Sequence, residues 1–479
     1  MDFSFGGARK NTYIRIEESN CKTMLERKLT PYLEHFLTED TGKILLINGA
    51  RQIGKSYLIR YVGKKLFPHF VEINLKEDKE GEQVFADVHS TTDLYMRLTN
   101  YYPEPLGDKS DTLIFLDEIQ SYPHLMTLLK FLNQEGRYKF IASGSQLGVA
   151  LAETPSVPLG SVTIEQMYPL DFEEFLWATG ISREWIEKIR EHYLREEALD
   201  ENTHNLLLKR FQYYLLVGGL PDAVNRYLED RNMARVRQTQ KDIHNLYRID
   251  ASQYDETHKL VIRKIYDLIP SNLENKKKRI VYKQIEDKKG KSFSDYADEF
   301  EYLTNSGVAL EVSAISNPRF PLAESEQKRL VKLYLNDVGL LTRLLYDLNV
   351  NAVLQDLKSI NLGTVYESVV AQELAAHGFR LHYYDNKQKG EVDFLIDDFD
   401  RLKVLPIEVK SGKDYTQHSA LTKFVENPDY GIDRAIVFSN ERTILKKRGV
   451  TYLPIYYCMF LQNRDYDEQV ILPELEPVG

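Results

Sequence analysis

The feature that most constrains the fold is a glycine-rich octapeptide between an apolar strand and a helical pattern. The residues Gly49-Ala50-Arg51-Gln52-Ile53-Gly54-Lys55-Ser56 match the pattern GxxxxGK[ST] and directly follow the apolar run KILLIN. Glycines let the backbone wrap an anion, and the N–H groups at the start of the next helix bind its oxygens. The octapeptide therefore predicts a phosphate-binding loop, with a tight strand-to-helix turn as the alternative.

A loop of this kind assigns roles to particular side chains. Lys55 would bind the β- and γ-phosphates, and the Ser56 hydroxyl would be a ligand of Mg²⁺. A second apolar strand should then end in an acid beside the magnesium, and the run TLIFLDE supplies Asp117 and Glu118. Asp117 would hold Mg²⁺ and Glu118 would polarise the attacking water. The alternative is an Asp-Glu pair that caps a helix after a core strand.

Five short β-rich runs alternate with helical patterns in the first third of the chain. Strands are predicted at Lys43–Asn48, Phe70–Leu75, Thr112–Asp117, Lys139–Gly144 and Ser161–Leu170. Several are apolar along their whole length, which is typical of parallel strands covered on both faces, so the fold class is α/β. After the fourth strand, Ser143 and Ser145 are candidates for sensing a γ-phosphate, with a small-residue turn as the alternative.

The middle of the chain is helical and then locally basic. Between Lys259 and Lys291 there are eleven Lys and Arg residues against four acidic ones. Two helical stretches and the strand-like runs LEVSAI and KLYLND follow in an order that suits a winged helix. Phosphate contacts from Lys276–Lys278 and Arg279 are therefore expected, with a solvated surface as the alternative.

A second group of chemically capable residues lies near the C-terminus, in a module of one helix and several strands. Asp393 precedes Glu408 by 15 positions, and Lys410 shares the strand face of Glu408 because strand side chains alternate. The two carboxylates and the Val409 carbonyl would form an oxygen site for Mg²⁺, while Lys410 orients the attacking water. Glu367, on the preceding helix, is a candidate additional ligand. An inert scaffold or a nucleic-acid grip is the alternative.

Six motifs in this order resemble a family of prokaryotic AAA+-like ATPases that carry a C-terminal domain of unknown function. The motifs are GARQIGKS, FLDEIQ, ASGSQ, YPLDFEEFL, GGLPDAV and KLYLNDVGLL. The resemblance runs from about Lys43 to Lys410. It implies an ASCE P-loop NTPase core with a helical lid, ATP as ligand, a winged-helix element, and a restriction-endonuclease-like α/β module of the PD-(D/E)xK type.

The chain departs from this family at one position. Relatives often carry Gly-Arg just before the fifth core strand, where this chain has Gly160-Ser161. An arginine finger is therefore unassigned among Arg51, Arg183 and Arg210.

These observations predict five parts. They are an N-terminal arm (1–30), a P-loop ATPase core (31–170), a helical lid (171–270), a winged-helix-like element (271–345) and a nuclease-like domain (346–479).

The 479 residues carry a formal charge of −10, so a chain-wide basic footprint for nucleic acid is absent. Two cysteines exclude a disulfide framework, and no apolar run is long enough for a signal peptide or a membrane span, so a cytoplasmic location is expected.

The predicted function is ATP binding and hydrolysis, with Mg²⁺ as cofactor, coupled to engagement of nucleic acid. A homo-oligomer is a candidate state, as in AAA+ relatives. One alternative is a slow-turnover nucleotide switch or scaffold in signalling or defence. Another is an ATP-controlled, Mg²⁺-dependent nuclease.

Overall fold

The computed structural model describes residues 24–102, 105–145, 147, 160–250, 258–275, 277–286, 290–355, 360–412 and 414–463. Most of the predicted N-terminal arm, Cys21, the Gln146 position of the ASGSQ motif and three lysines of the basic stretch (276, 288 and 289) lie outside these residues.

The first sheet has five parallel strands in the order β2-β3-β4-β1-β5. Its strands are β1 (Ile44–Asn48), β2 (His69–Asn74), β3 (Thr112–Asp117), β4 (Lys139–Gly144) and β5 (Val162–Gln166). The parallel α/β core predicted from the sequence is thus confirmed. The last strand ends earlier than predicted, at Gln166, and Pro169, which has no N–H for a sheet, follows shortly after.

The strand order fixes where functional side chains meet. Strand β4 lies between β1 and β3, and pairs with both in parallel register. The carboxyl ends of these three strands therefore lie side by side. They carry Gly49, Asp117 and Ser143 to one edge of the sheet.

Helices flank this sheet and fill the middle of the chain. Those of the first part are α1 (Leu29–Thr38), α2 (Lys55–Leu66), α3 (Leu75–Glu80), α4 (Thr91–Tyr101) and α5 (Pro123–Glu135). The helical region contains α6 (Phe172–Ala178), α7 (Arg183–Arg195), α8 (Glu201–Val217), α9 (Pro221–Asp230), α10 (Met233–Asp250), α11 (Lys259–Glu274), α12 (Tyr282–Ile285) and α13 (Ala297–Asn305).

The C-terminal part is built on a second sheet of eight strands in the order β12-β13-β11-β10-β9-β8-β6-β7. The strands are β6 (Ala309–Ile315), β7 (Glu326–Leu335), β8 (His382–Asn386), β9 (Gly390–Asp398), β10 (Lys403–Val409), β11 (Ala435–Ser439), β12 (Leu445–Lys447) and β13 (Val450–Pro454). Its helices are α14 (Val338–Tyr346), α15 (Val350–Leu354), α16 (Leu362–Ala376) and α17 (Ser419–Val425).

The hairpin β6–β7 belongs to this second sheet. It comes from the segment interpreted as winged-helix-like, and β6 pairs in parallel with β8. The boundary drawn at 345/346 therefore falls between strands of one sheet.

The helical region is also joined to both sheets. One continuous hydrophobic core runs from Leu33 beside the first sheet through Tyr214 on α8 to Tyr457 near the C-terminal end of the described chain. A separate core covers the other face of the first sheet.

A buried contact ties the two halves at the GGLPDAV motif. Gly218 has a positive φ of 72°, and a Cβ there would lie 2.3 Å from a carboxylate oxygen of Asp337. Asp337 accepts a hydrogen bond from the Gly219 N–H at 2.6 Å and caps α14 through the Leu340 N–H. The KLYLND and GGLP motifs are therefore in direct contact. Glycine is needed at position 218 because the Asp337 carboxylate occupies the space that a side chain there would fill, and because φ is positive.

Candidate functional site

The glycine-rich loop has the backbone that a phosphate-binding loop needs. Gly49 has a φ of 148°, and a Cβ at this position would lie 2.3 Å from the Met167 carbonyl oxygen, so only glycine fits. Gly54 has a φ of 96° and precedes α2, which begins at Lys55. The loop therefore directs the N-terminal N–H groups of α2 toward the edge where the strands end.

Lys55 is held over the loop by two backbone carbonyls. Its Nζ donates to the Gly49 oxygen at 2.7 Å and to the Ala50 oxygen at 2.8 Å. Burial lowers the pKa of Lys55 to about 8, while the carboxylates of Glu118 and Asp117 act in the opposite direction. The ammonium group is thus positioned by the loop and short of solvation, which favours a polyanion as its partner.

Ser56, Asp117 and Ser143 form one hydrogen-bonded unit. The Ser56 hydroxyl donates to Asp117 Oδ2 at 2.8 Å, and the Ser143 hydroxyl donates to Asp117 Oδ1. Burial raises the pKa of Asp117, although both hydroxyls stabilise its charged form. Ser143 therefore contacts the carboxylate predicted to face the metal and orients it.

Glu118 follows the strand end in a left-handed backbone conformation with φ of 55°. Its Oε2 accepts hydrogen bonds from the Ser145 hydroxyl at 3.2 Å and from the Gln120 amide. Glu118 also lines a cavity of about 350 Å³ together with Arg51, Lys55 and Ser56. The second serine candidate thus contacts the carboxylate predicted to face the water.

The donor set fits Mg²⁺ and a nucleoside triphosphate. Gly49 and Gly54 adopt the positive φ values that the bend of the loop requires, and Lys55 supplies a cation. The Ser56 hydroxyl and the Asp117 carboxylate are hard oxygen donors of the kind that Mg²⁺ prefers.

Sequence reasoning missed Arg27, which supports the loop from behind. Its guanidinium donates to the Ile53 carbonyl at 3.0 Å and the Tyr168 carbonyl at 2.6 Å, and it pairs with Glu174 at 3.1 Å. Arg27 lies in the segment interpreted as an arm, and its only signal in the sequence is the acidic partner within the YPLDFEEFL motif.

The C-terminal candidates also come together. Lys410 Nζ donates to Glu408 Oε1 at 2.7 Å, and the Val409 N–H donates to Asp393 Oδ2 at 2.9 Å. Glu367 approaches from α16, where the Tyr334 hydroxyl lies 3.5 Å from its Oε2. We call Glu367, Asp393 and Glu408 the carboxylate cluster.

The three carboxylates of this cluster are buried, and two of them are paired with Lys278 and Lys410. Burial, followed by the charge of Asp393, raises the pKa of Glu408 to about 8, and the same two causes raise the pKa of Glu367. Glu408 Oε2 is buried without a hydrogen-bond partner in the described part of the chain. No group of three or more His, Cys, Asp or Glu side chains in that part is arranged to hold a metal ion.

The basic stretch is oriented differently from the sequence-based expectation. The Lys278 ammonium pairs with Glu367, and Arg279 pairs with Asp385 and donates to the Tyr383 hydroxyl. Both cations are therefore paired with carboxylates of the same chain, and their contact with phosphates stays a prediction. Lys277 remains exposed.

The loop, strand order and acidic pair together define a P-loop nucleotide-binding domain. Residues 41–176 match the model of the AAA domain, residues 208–352 match a domain of unknown function (DUF8612), and residues 362–458 match another (DUF4143). The first match coincides with the five-stranded sheet, so this part of the chain is an AAA-like ATPase domain.

The comparison with curated proteins found no match. Among solved structures, the chain is similar to the Walker-type ATPase PABY2304 of Pyrococcus abyssi, with 15% identity and a TM-score of 0.41 over 67% of this chain and 96% of that one. It is also similar to the RuvB Holliday junction branch migration motor of Thermotoga maritima, with 15% identity and a TM-score of 0.29 over 62% and 90%. Cdc6p from Pyrobaculum aerophilum shows 11% identity and a TM-score of 0.27 over 70% of this chain and 96% of that one.

No described helix has both the length and the apolar character required to cross a membrane.

Proposed function

We propose that the chain binds and hydrolyses ATP and that its nucleotide state controls engagement of nucleic acid. The observation that carries the proposal is the arrangement of side chains at one sheet edge. The Ser56 hydroxyl and the Glu118 N–H both donate to the Asp117 carboxylate. The charges of Asp117 and Glu118 also act on the Lys55 ammonium group. Lys55 binds phosphate oxygens, and Ser56 with Asp117 holds Mg²⁺, which neutralises charge on the phosphates when bound.

Glu118 acts on water rather than on the nucleotide. Its carboxylate accepts a proton as the water oxygen bonds to the γ-phosphorus. The bond from that phosphorus to the β,γ-bridging oxygen breaks, and ADP and phosphate are formed. Ser145 and Gln120 hold the carboxylate through its Oε2, so it is oriented before the reaction.

Support for nucleic-acid coupling comes from the helical region. Its described basic residues include Lys264, Lys277 and Lys283, which are exposed, and α10 contacts the P-loop directly through the bond from the Tyr247 hydroxyl to the Arg51 carbonyl at 2.8 Å. This contact supports the proposal that a change in the loop reaches the helices that border the basic stretch.

The test is steady-state phosphate release from Mg²⁺·ATP by the full chain, with and without duplex DNA at constant salt. We expect DNA to raise the turnover rate, and the stimulation to fall with added salt because phosphate contacts release counterions. Slow turnover that does not respond to DNA would contradict the coupling and favour the nucleotide switch.

We propose a Mg²⁺-dependent nuclease as a second candidate function, favoured by the convergence of Asp393, Glu408 and Lys410. The strands β8, β9 and β10 are antiparallel neighbours, and β11 is parallel to β10. This strand order, which follows α16, supports the second proposal. In the structure the Lys278 ammonium group pairs with Glu367. A divalent cation would therefore compete with Lys278 for this carboxylate.

Replacing Lys278 with methionine is expected to strengthen Mn²⁺ binding by at least about tenfold, because one charge-assisted pair no longer competes for Glu367. Calorimetry with Mn²⁺ and no nucleotide measures this directly. The exposed neighbour Lys277→Met is the matched control, and Glu408→Gln in the Lys278→Met background should remove the gain. Unchanged Mn²⁺ affinity in Lys278→Met would count against a cation site here.

A further inference from the structure

Arg51 connects the P-loop to the helical region through its side chain. Its Nη1 lies 2.5 Å from Asp250 Oδ1, and the two side chains are 18% and 10% exposed. Arg51 is the third residue of the loop, whereas Asp250 is the last residue of α10. The pair therefore joins two segments that match different family models.

Neighbouring hydrogen bonds fix the backbone of both partners. The Tyr247 hydroxyl donates to the Arg51 carbonyl at 2.8 Å, and the Tyr302 hydroxyl donates to the Asp250 carbonyl at 3.0 Å. Both tyrosines are buried. Because each backbone is anchored separately, the guanidinium and carboxylate can separate by side-chain rotation without unfolding either element.

Arg51 also lines the nucleotide cavity. It does so with Lys55, Ser56 and Glu118, and it is the one arginine among the described residues that line it. Arg183, an alternative candidate, instead pairs with Glu26 and stacks on Trp177 with its guanidinium carbon 4.0 Å from the ring centroid. Of these two arginines, only Arg51 is at the cavity that Lys55 and Glu118 line.

We propose that Arg51 is a γ-phosphate-responsive cation that Asp250 holds in the absence of ATP and releases when the triphosphate binds, which rests on the ATPase function proposed above. A guanidinium forms its strongest hydrogen bonds with either a carboxylate or a phosphate through the same planar set of donors. The triphosphate and Asp250 therefore compete for it. Release leaves the Asp250 carboxylate at the end of α10 without its cation, so the charge at that end of the helix depends on γ-phosphate occupancy.

Competition between Asp250 and the triphosphate for Arg51 predicts that substitutions of the two residues change the affinity for an ATP analogue in opposite directions. Asp250→Asn removes the charge that restrains Arg51, so binding of a non-hydrolysable ATP analogue should become about fivefold tighter. Arg51→Ala removes the cation, so the same binding should become about tenfold weaker. ADP affinity should change by less than about twofold in either variant, because the γ-phosphate is absent.

Calorimetry on the full chain with the Mg²⁺-loaded analogue and with Mg²⁺·ADP measures these shifts. Arg60→Ala is the matched control, because Arg60 lies on α2 and pairs with Glu72 at 2.6 Å outside the described cavity lining. Arg51→Lys should restore part of the affinity that Arg51→Ala loses, and thermal melting monitors folding of each variant.

If the Arg51–Asp250 pair only stabilises the structure, the Asp250→Asn variant will bind the analogue no more tightly than the wild type. The Arg51→Ala variant will then bind the analogue and ADP more weakly by the same factor. Either result overturns the competition. Absence of nucleotide binding by the wild-type chain would instead refute the proposed function, so the two failures are distinguishable.

Discussion

The Lys55→Ala variant is expected to bind Mg²⁺·ATP at least about 100-fold more weakly than the wild-type chain, because it loses charge-assisted contacts to two phosphates. Its Nζ donates to two loop carbonyls, and the charges of Asp117 and Glu118 act on it, so the ammonium group is already positioned beside the acidic pair. Calorimetry with a non-hydrolysable analogue measures the loss. Lys64→Ala, at an exposed position on the same helix, is the control and should bind normally.

The same residue gives the interaction a pH dependence. Burial lowers the pKa of Lys55 to about 8, so in the free protein the ammonium loses its proton as the pH rises through that value. Nucleotide affinity should therefore fall as the pH is raised from about 7 to 9.

Undiminished ATP binding by Lys55→Ala would show that the octapeptide is only a tight turn.

Glu118→Gln is expected to retain ATP affinity while hydrolysis slows by about 100- to 1,000-fold, the usual contribution of a general base. The amide keeps the shape of the carboxylate and can still accept the hydrogen bond from Ser145, but it cannot take a proton from water. Single-turnover phosphate release measures the chemical step, and calorimetry measures binding.

Glu80→Gln, at an exposed position on α3, provides the control for loss of a carboxylate elsewhere. If Glu118→Gln hydrolyses ATP at the control rate, the water must be activated by another group. If it loses binding as well, Glu118 is a structural residue of the site.

The proximity of the candidate nucleotide-site residues could be predicted because most of them belong to local sequence patterns. Gly49–Ser56 are contiguous, and Asp117 and Glu118 directly follow an apolar strand. Their meeting at one edge follows from the parallel strand order. Ser143 and Ser145 were expected to sense phosphate, whereas in the structure they hold Asp117 and Glu118. Their part in sensing phosphate stays a prediction.

The supporting residues could not be predicted because they act across long separations. Arg27 reaches the loop at Ile53, and Asp250 reaches Arg51 over 199 positions of sequence. Neither stands in a pattern that differs from an ordinary surface charge. The inward orientation of Lys278 was missed for the same reason, since a run of like charges usually indicates a solvated surface.

The hairpin that extends the second sheet limits how the chain can be divided. A fragment beginning at residue 346 would lack β6 and β7 and would expose the backbone edge of β8 to water and to other molecules. Unpaired edges of this kind favour edge-to-edge association and aggregation. The smallest self-sufficient C-terminal unit therefore begins upstream of Ala309, and recombination that exchanges this half among related proteins must carry the hairpin along.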